Sequence, residues 1–226
     1  MTRARQAKAY LEMIYCRARH RRRNGGAHPI SSDSGMFTHD WFSYHIRLWE
    51  RLLEPFSGKP IHALEIGVFE GRSTVWLMEH ILTHPESTLT WIDPFIGPTH
   101  RVGLEYPADL EARFRANTAR FGEKVQGHVG HSQEMLRGLP SERFAFVYID
   151  GSHVAPAVLA DAILSWPLLR PGGLMGFDDY GWRPWVKLQR SPALAVDAFM
   201  AVMAGQFEVV HRGYQVWLRK LPESIS

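Results

Sequence analysis

The feature that most constrains the fold is a change of pattern near residue 61, after which short apolar segments alternate with helix-like segments. The apolar segments predict strands at 61–66, 88–93, 124–129, 144–149 and 174–177. The stretches between and after them predict helices at 73–84, 107–121, 133–139, 154–169 and 192–204. Strands that alternate with helices need right-handed crossovers, so the sequence predicts a parallel sheet covered on both faces.

The end of the chain departs from this alternation. Residues 207–211 and 214–218 flank Arg212-Gly213 and predict a tight hairpin, which adds one antiparallel strand to the sheet. The fold class is therefore α/β, a doubly wound and mostly parallel sheet of seven strands with a C-terminal antiparallel hairpin strand.

The residues before the alternation predict a helical extension over 1–60, followed by one α/β domain over 61–226. Within the extension we expect a basic head over 1–23, a turn-rich loop over 24–36, and a helix at about 38–56 that begins with Thr38 as its cap.

Charge and composition exclude several classes of protein. The head holds eight of the 26 Lys and Arg residues and one of the 23 acids, so the rest carries a net charge of −4. A basic head can bind nucleic acid or anionic lipid, act as a transit peptide, or be a solvated helix end. A single cysteine excludes intrachain disulfides and Cys-rich zinc modules. Without a spanning apolar run or a secretory signal, the expected location is cytoplasmic.

The first strand–turn–helix carries the sharpest motif. Glu65 ends the strand, Gly67 and Gly71 allow a tight turn, and Ser73 opens the helix, where free N–H groups face the crevice. The spacing G-x-x-x-G differs from the dinucleotide fingerprint, and no Walker lysine follows. A simple βα turn is the alternative to a binding loop.

The second strand ends at Asp93, 22 residues after Gly71. A carboxylate at this offset meets the ribose in doubly wound folds, although Asp-Pro turns are also frequent. Together the two features predict a nucleoside ligand without phosphates.

In this order the motifs resemble those of the class I S-adenosylmethionine-dependent methyltransferases. Within that class, the sequence is most similar to small-molecule O-methyltransferases, both the metal-dependent caffeoyl-coenzyme A and catechol type and the relatives that methylate sugars on natural products. The resemblance spans about residues 40–219 and implies a Rossmann-like fold. The matching segments are Leu64–Gly67 with Gly71, Trp91–Asp93, Phe146–His153, Leu168–Gly173 and Gly176–Asp179.

The resemblance implies a set of cofactor-binding residues for S-adenosylmethionine. Two glycines would line the methionine part, Glu65 and Ser73 would bond its polar ends, and Asp93 would hold the ribose. The adenine would meet His131 or Ser132, although the family often has an acid where His131 stands. The full set is Glu65, Gly67, Gly71, Ser73, Asp93, His131 and Ser132.

Three carboxylates form the second constellation. Asp150 ends the fourth strand, and Asp178 and Asp179 end the fifth, so they are expected to meet at one edge of the sheet. Their repulsion would be removed by a hard divalent cation such as Mg²⁺, and matching positions are ligands in the metal-dependent relatives. Alternatively, one aspartate caps a helix and another pairs with Arg183. Asp150 or His153 is the expected general base, unless His153 is an ordinary residue of a helix start.

Six aromatic side chains are expected in loops or loop edges near the mouth of the site, where they could exclude water and bind a flat or sugar-like acceptor. Packing in the core or between subunits is the alternative for each. The helices before residue 60 would cover the acceptor site or build a homo-oligomer. The six are Phe37, Trp41, Tyr106, Tyr180, Trp182 and Trp185.

The sequence therefore predicts an S-adenosylmethionine-dependent O-methyltransferase that acts on a hydroxyl of a sugar, phenolic or other natural product, with a divalent metal. Three alternatives stay open. The enzyme could be metal-independent with His153 as base, it could methylate nucleic acid, or it could be a non-catalytic binding module. Residues 61–219 show neither a basic stripe nor a base-flipping tetrad, so nucleic acid is the less expected partner.

Overall fold

A computed structural model of the chain describes residue 35 and residues 37–96, 107–182 and 191–222. The described residues form two compact units. The helical unit takes its residues from 1–61, 68–89 and 95–126. The sheet unit takes them from 62–67, 90–94 and 127–226. The predicted helix over 1–22 and nearly all of the loop over 24–36 lie outside the described residues.

The sheet has seven strands in the order β3-β2-β1-β4-β5-β7-β6. Strand β4 runs parallel to both β1 and β5, whereas β7 runs antiparallel to β5 and β6. The predicted fold class, a mostly parallel sheet with one reversed strand from a C-terminal hairpin, is confirmed. The strands are β1 His62–Ile66, β2 Thr88–Asp93, β3 Val125–Val129, β4 Phe144–Ile149, β5 Leu169–Phe177, β6 Phe207–Arg212 and β7 Val216–Lys220.

Six α-helices accompany these strands in the described part of the chain. The helical unit contains α1 Ile46–Leu53, α2 Arg72–His80 and α3 Leu110–Thr118. The sheet unit contains α4 Ser132–Met135, α5 Ala155–Ser165 and α6 Pro192–Val202. Every residue of β4 is buried, as its unbroken apolar run predicts for a central parallel strand. The core of the sheet unit joins this strand to the apolar residues of α5 and α6, such as Val158 and Phe199.

Strand β5 begins five residues earlier than the sequence predicts. The helix ends at Ser165, a 3-10 turn follows, and pairing with β4 already starts at Leu169. Residues 170–173 then bulge, because Phe144 pairs with Leu169 whereas Phe146 pairs with Leu174. The Pro171-Gly172-Gly173 sequence therefore lies in a bulge within a strand, and not between a helix and a strand.

The C-terminal hairpin is also wider than a two-residue turn. Gly213, Tyr214 and Gln215 lie between β6 and β7, and the Gly213 N–H donates to the Gln215 carbonyl at 2.8 Å. The extra residue places Tyr214 and Gln215 at the carboxyl end of the neighbouring strand β5, because β7 runs in the opposite direction.

In the helical unit, the predicted cap of the first helix is wrong. The Asp40 carboxylate, and not Thr38, accepts from the N–H groups that open the helical segment, those of Phe42 at 3.2 Å and Ser43 at 2.8 Å. Thr38 instead donates from its N–H and its hydroxyl to the buried carboxylate of Glu70. A 3-10 turn, Ser43–His45, precedes α1, and the rings of Phe42, Trp49 and Trp76 pack edge to face or tilted behind it.

Among the described residues, no helix combines the length and the apolar character that crossing a membrane requires.

Candidate functional site

The turn after β1 is locked to the end of β4. Gly67 has a left-handed backbone, with φ of +84°, and its N–H donates to the Ile92 carbonyl of β2 at 2.9 Å. The Asp150 N–H donates to the Ile66 carbonyl at 2.8 Å. A Cβ atom on Gly67 would lie 2.5 Å from the Asp150 carbonyl oxygen, so the packing of the backbone itself requires glycine here.

The ends of β2 and β3 carry the other predicted cofactor residues of the sheet unit. Asp93 is half-buried at the end of β2, and its carbonyl accepts the Gly130 N–H at 3.1 Å. His131 is exposed, and its carbonyl accepts the first helical bonds of α4. Glu65 is fully buried within β1. Backbone pairing thus brings Asp93 and His131 to the same end of the sheet as Gly67.

The hydroxyl of Ser132 is already engaged within the protein. It donates to Asp161 Oδ1 at 2.6 Å, and Gln133 Nε2 donates to the same oxygen at 2.6 Å. Burial raises the pKa of Asp161 to about 6, although the two hydrogen bonds act in the opposite direction. Of the two residues predicted to contact the adenine, His131 is therefore the more accessible to a ligand.

Two predicted cofactor residues belong to the helical unit. Gly71 has φ of +83°, its N–H donates to the Val68 carbonyl at 2.7 Å, and a Cβ there would lie 2.8 Å from the Phe114 ring. Ser73 stands in the first turn of α2. Gly71 therefore meets a packing and a backbone requirement, and the cofactor roles of both residues stay predictions.

Three polar side chains meet at the carboxyl ends of β4 and β5. Asp150, His153 and Asp179 each offer a donor atom for a cation, and these atoms lie within 4.8 Å of one another. His153 Nε2 is 2.6 Å from Asp179 Oδ2, and the two side chains are 30% and 11% exposed. Asp179 adopts a left-handed backbone with φ of +53°, a conformation that is uncommon outside glycine. Two oxygen ligands and one nitrogen suit a divalent cation, and a carboxylate bonded to an imidazole also suits a general base.

Asp178 does not belong to this group of three. Its Oδ2 accepts from the Tyr148 hydroxyl at 2.7 Å, and its Oδ1 accepts from the Asp179 N–H at 2.7 Å and from Gln215 Nε2 at 3.4 Å. Burial, followed by the charge on Asp179, raises the pKa of Asp178. The sequence placed Asp178 among three metal ligands, and the structure places His153 beside Asp150 and Asp179. Its role as a ligand stays a prediction, since Oδ2 accepts one of these hydrogen bonds and a carboxylate oxygen has two lone pairs.

Three residues that the sequence did not single out support the two aspartates. Tyr214 donates from its buried hydroxyl to Asp179 Oδ1 at 2.5 Å. Tyr148 lies beneath Asp178, and Gln215 Nε2 donates to the Tyr148 oxygen at 2.9 Å. Burial, with the charges on Asp178 and Asp150, raises the pKa of Tyr148 well above its ordinary value, which keeps it a donor. One signal in the sequence could have indicated Tyr214 and Gln215. Both directly precede β7, the strand of the C-terminal hairpin that runs antiparallel to β5.

The predicted aromatic lid is only partly found. The Trp182 ring lies 4.7 Å from the His153 ring, at the site. Tyr180 is buried, and its hydroxyl bonds Asp197 and Arg212, so it does not line a mouth. Phe37 and Trp41 lie in the helical unit, where Arg72 covers the Phe37 ring at 4.4 Å and Trp41 packs on Phe69 at 4.8 Å. Tyr106 and Trp185 fall outside the described residues, as does the alternative partner Arg183.

The chain matches known proteins both in sequence and in fold. A family model described as a methyltransferase domain matches residues 64–180. Among curated proteins, the chain is 29% identical over 156 residues to the uncharacterized protein R132 of Acanthamoeba polyphaga mimivirus. That match covers 64% of this chain and 64% of the viral protein, so the alignment spans just under two thirds of the relative's length.

Two solved structures share the fold at low sequence identity. The O-methyltransferase TomG from Streptomyces achromogenes, involved in tomaymycin synthesis and solved in complex with S-adenosylmethionine, superposes with a TM-score of 0.60. It is 18% identical, and the match covers 96% of this chain and 90% of TomG. MycE, a methyltransferase of the mycinamycin pathway solved with Mg, S-adenosylhomocysteine and mycinamycin VI, gives a TM-score of 0.56 at 16% identity. That match covers 81% of this chain and 51% of MycE.

Proposed function

The chain belongs to the methyltransferase domain family, and from this premise we propose that it transfers the methyl group of S-adenosylmethionine to a hydroxyl of a small molecule, with the help of a divalent cation. The observation that carries the proposal is the group formed by Asp150, His153 and Asp179 at the carboxyl ends of β4 and β5. In open α/β sheets this end is where ligands bind. Support for the small-molecule acceptor comes from TomG, which is involved in tomaymycin synthesis, and from MycE, of the mycinamycin biosynthetic pathway.

The cofactor would occupy the ends of β1, β2 and β3. Gly67 has no side chain, so the cofactor could approach the backbone of its turn closely. Asp93 has a half-buried carboxylate that could bind the two ribose hydroxyls. His131, exposed after β3, can accept a hydrogen bond from the adenine amino group when its imidazole is neutral. When bound, S-adenosylmethionine supplies an activated methyl group, so the protein needs to align the acceptor and remove its proton.

The residues at the ends of β4 and β5 fit a divalent cation. Asp150 and Asp179 would hold it, and Asp178 would add a third carboxylate from the next position along the chain. Mg²⁺ suits the oxygen ligands, and the nearby imidazole also suits Mn²⁺ or other first-row ions. A cation at this place lowers the pKa of a bound hydroxyl and orients it.

His153 would take the proton of the acceptor. An ionised carboxylate can only accept, so the 2.6 Å contact with Asp179 Oδ2 places a proton on His153 Nε2. In the neutral ring the basic nitrogen is then Nδ1. Asp179 thus fixes the tautomer and would stabilise the imidazolium that forms, as a third group does for other catalytic histidines.

The same contact favours a second candidate, a metal-independent methyltransferase in which Asp179 serves only to orient His153. Chelation separates the two candidates. Conversion of S-adenosylmethionine to S-adenosylhomocysteine would be followed with a panel of phenolic and sugar acceptors, in EDTA and after Mg²⁺ or Mn²⁺ is restored. A metal-dependent enzyme loses turnover in EDTA and regains it on addition of the ion. Full turnover in EDTA would establish the metal-independent candidate.

Variants test the assignment of residues. Asp150→Asn and His153→Gln are expected to lower turnover about 100-fold or more, with the affinity for S-adenosylhomocysteine almost unchanged. His62→Gln is a matched control, because His62 begins β1, at the opposite end of the strand from Gly67. Calorimetry with S-adenosylhomocysteine, NAD and ATP tests the cofactor. Binding of NAD without binding of S-adenosylhomocysteine would overturn the whole proposal.

A further inference from the structure

The two adjacent aspartates at the end of β5 each accept a hydrogen bond from a different tyrosine. The Tyr214 hydroxyl lies 2.5 Å from Asp179 Oδ1, and the Tyr148 hydroxyl lies 2.7 Å from Asp178 Oδ2. A phenol is a neutral donor, so it stabilises a carboxylate without adding the positive charge that would compete with a cation. The two tyrosines therefore fix the orientation of both carboxylates and leave their negative charge in place.

Tyr214 is held to the turn that contains Asp179 at several points. The Gly181 N–H donates to the Tyr214 carbonyl at 2.8 Å, and the Trp182 N–H donates to the Asp179 carbonyl at 3.0 Å. Gly181 packs so tightly that a Cβ there would lie 2.9 Å from Tyr214 Cα. The phenol thus reaches Asp179 from a rigid backbone, across 35 residues of sequence.

The two oxygens of Asp179 have different partners. Oδ1 accepts from Tyr214, and Oδ2 contacts His153 Nε2. A carboxylate bonded on one side only could rotate, and rotation would break the contact with the imidazole. Asp179 also has a left-handed backbone, a strained conformation that persists only where the surroundings hold it.

From this geometry we propose that Tyr214 is a positioning residue, which fixes Asp179 so that Oδ2 faces His153 and the cation site. The inference deepens the proposed function and rests on it for its catalytic meaning. Its structural content, that the Tyr214 hydroxyl sets the environment of the His153 ring, can be tested without any acceptor or metal.

The first test uses nuclear magnetic resonance on the full-length protein in EDTA, with histidine rings labelled with ¹⁵N and the His153 signals assigned with His153→Gln. We expect His153 of the wild type to show a single tautomer, protonated at Nε2. Tyr214→Phe removes one oxygen and keeps the buried ring, and we expect it to give a mixture of tautomers. Gly181→Ala is the second variant, in case Tyr214→Phe folds poorly, because its Cβ would lie 2.9 Å from Tyr214 Cα and would displace the phenol, with the same expected effect.

Tyr180→Phe is the matched control for this experiment. Its hydroxyl also bonds a carboxylate, that of Asp197 at 3.0 Å, and it follows Asp179 directly in the chain. We expect the His153 signals of this variant to match the wild type. Unchanged His153 signals in Tyr214→Phe, or an equal change in Tyr180→Phe, would overturn the proposal.

The second test measures Mn²⁺ binding by electron paramagnetic resonance and S-adenosylhomocysteine binding by calorimetry. We expect Tyr214→Phe to weaken Mn²⁺ about tenfold, the size typical for residues that orient metal ligands, and to leave S-adenosylhomocysteine within about twofold. Equal losses of both ligands would identify a merely structural tyrosine and contradict the proposal. If the wild type binds no Mn²⁺, the metal part of the proposed function fails. The positioning role of Tyr214 is then decided by the tautomer of His153 in the first test.

Discussion

At the scale of single residues, Gly67 shows how one position meets two requirements at once. The sequence predicts that its turn lies against the methionine part of the cofactor. The structure adds a backbone contact, since a Cβ would lie 2.5 Å from the Asp150 carbonyl oxygen. A larger residue would therefore move the end of β4, where Asp150 stands.

We predict that Gly67→Ala lowers the free energy of unfolding by more than Gly205→Ala does. Gly205 has nearly the same φ, +85°, but open space around its Cβ position, so its variant isolates the backbone cost of about 1–2 kcal/mol. Overpacking adds about 1–3 kcal/mol at Gly67. Urea unfolding of both variants measures the difference, and equal losses would mean that the β4 contact is easily relaxed.

Asp161 leads to a prediction about pH. Burial raises its pKa from 3.8 to about 6 in the folded protein, so the native state binds a proton more tightly than the unfolded chain. The stability gained from that proton is complete below about pH 4 and is lost as the pH rises through about 6, by about 3 kcal/mol.

Asp161→Asn keeps an acceptor for Ser132 and Gln133 and removes the ionisation. The unfolding free energy of the variant, relative to the wild type, is therefore expected to improve between pH 4 and pH 7. Urea unfolding at four pH values in this interval tests it. A constant difference over the whole interval would contradict the raised pKa.

At the scale of elements, two helix ends are each closed by a lysine from another segment. Lys220 of β7 donates to the carbonyls of Trp166 and Leu169, which follow α5. Lys124 in the same way donates to the carbonyls of Leu82 and His84, which follow α2. Each lysine places a cation just beyond the C-terminal end of a helix, where the partial negative charge of the helix end favours one.

We predict that Lys220→Met costs about 2–3 kcal/mol of unfolding free energy, because it removes a buried, charged donor from the carbonyls of Trp166 and Leu169. Lys124→Met is expected to cost about 1 kcal/mol, since Lys124 is only half-buried and water can replace it. Thermal or urea unfolding of the pair gives the comparison. A loss at Lys124 as large as that at Lys220 would show that burial does not set the difference.

Element boundaries show where the sequence was sufficient and where it was not. Strand β4 could be predicted because it is buried on both faces and therefore apolar throughout. The start of β5 could not, because the Pro171-Gly172-Gly173 bulge resembles a helix stop in sequence. Asp150 and Asp179 could be placed at the site because they lie one and two residues after parallel strands, whereas Tyr214 precedes a reversed strand and has no motif around it.

At the scale of the whole molecule, the family match and the predicted cofactor residues leave the head of the chain aside. The match begins at residue 64, and the first predicted cofactor residue is Glu65. That residues before 61 form an extension separate from the cofactor-binding domain therefore stays a prediction. The two compact units divide the chain differently, since residues 68–89 and 95–126 join the helical unit.

We predict that a variant without residues 1–22 keeps its affinity for S-adenosylhomocysteine within about twofold, because no predicted cofactor contact precedes residue 65. Calorimetry on the folded, truncated protein tests this, with circular dichroism as the check of folding. Lost affinity in a well-folded truncated protein would show that the head takes part in the cofactor site.

The reversed direction of β7 has a consequence for protein engineering. The family match ends at residue 180, yet two of the side chains that hold the paired aspartates, Tyr214 and Gln215, lie more than thirty residues later. A chimera that borrowed only the matched segment would carry every acid of the site and none of the C-terminal hydrogen bonds that orient them. A graft of this site onto another scaffold would thus have to include the C-terminal hairpin, β6 and β7, as well.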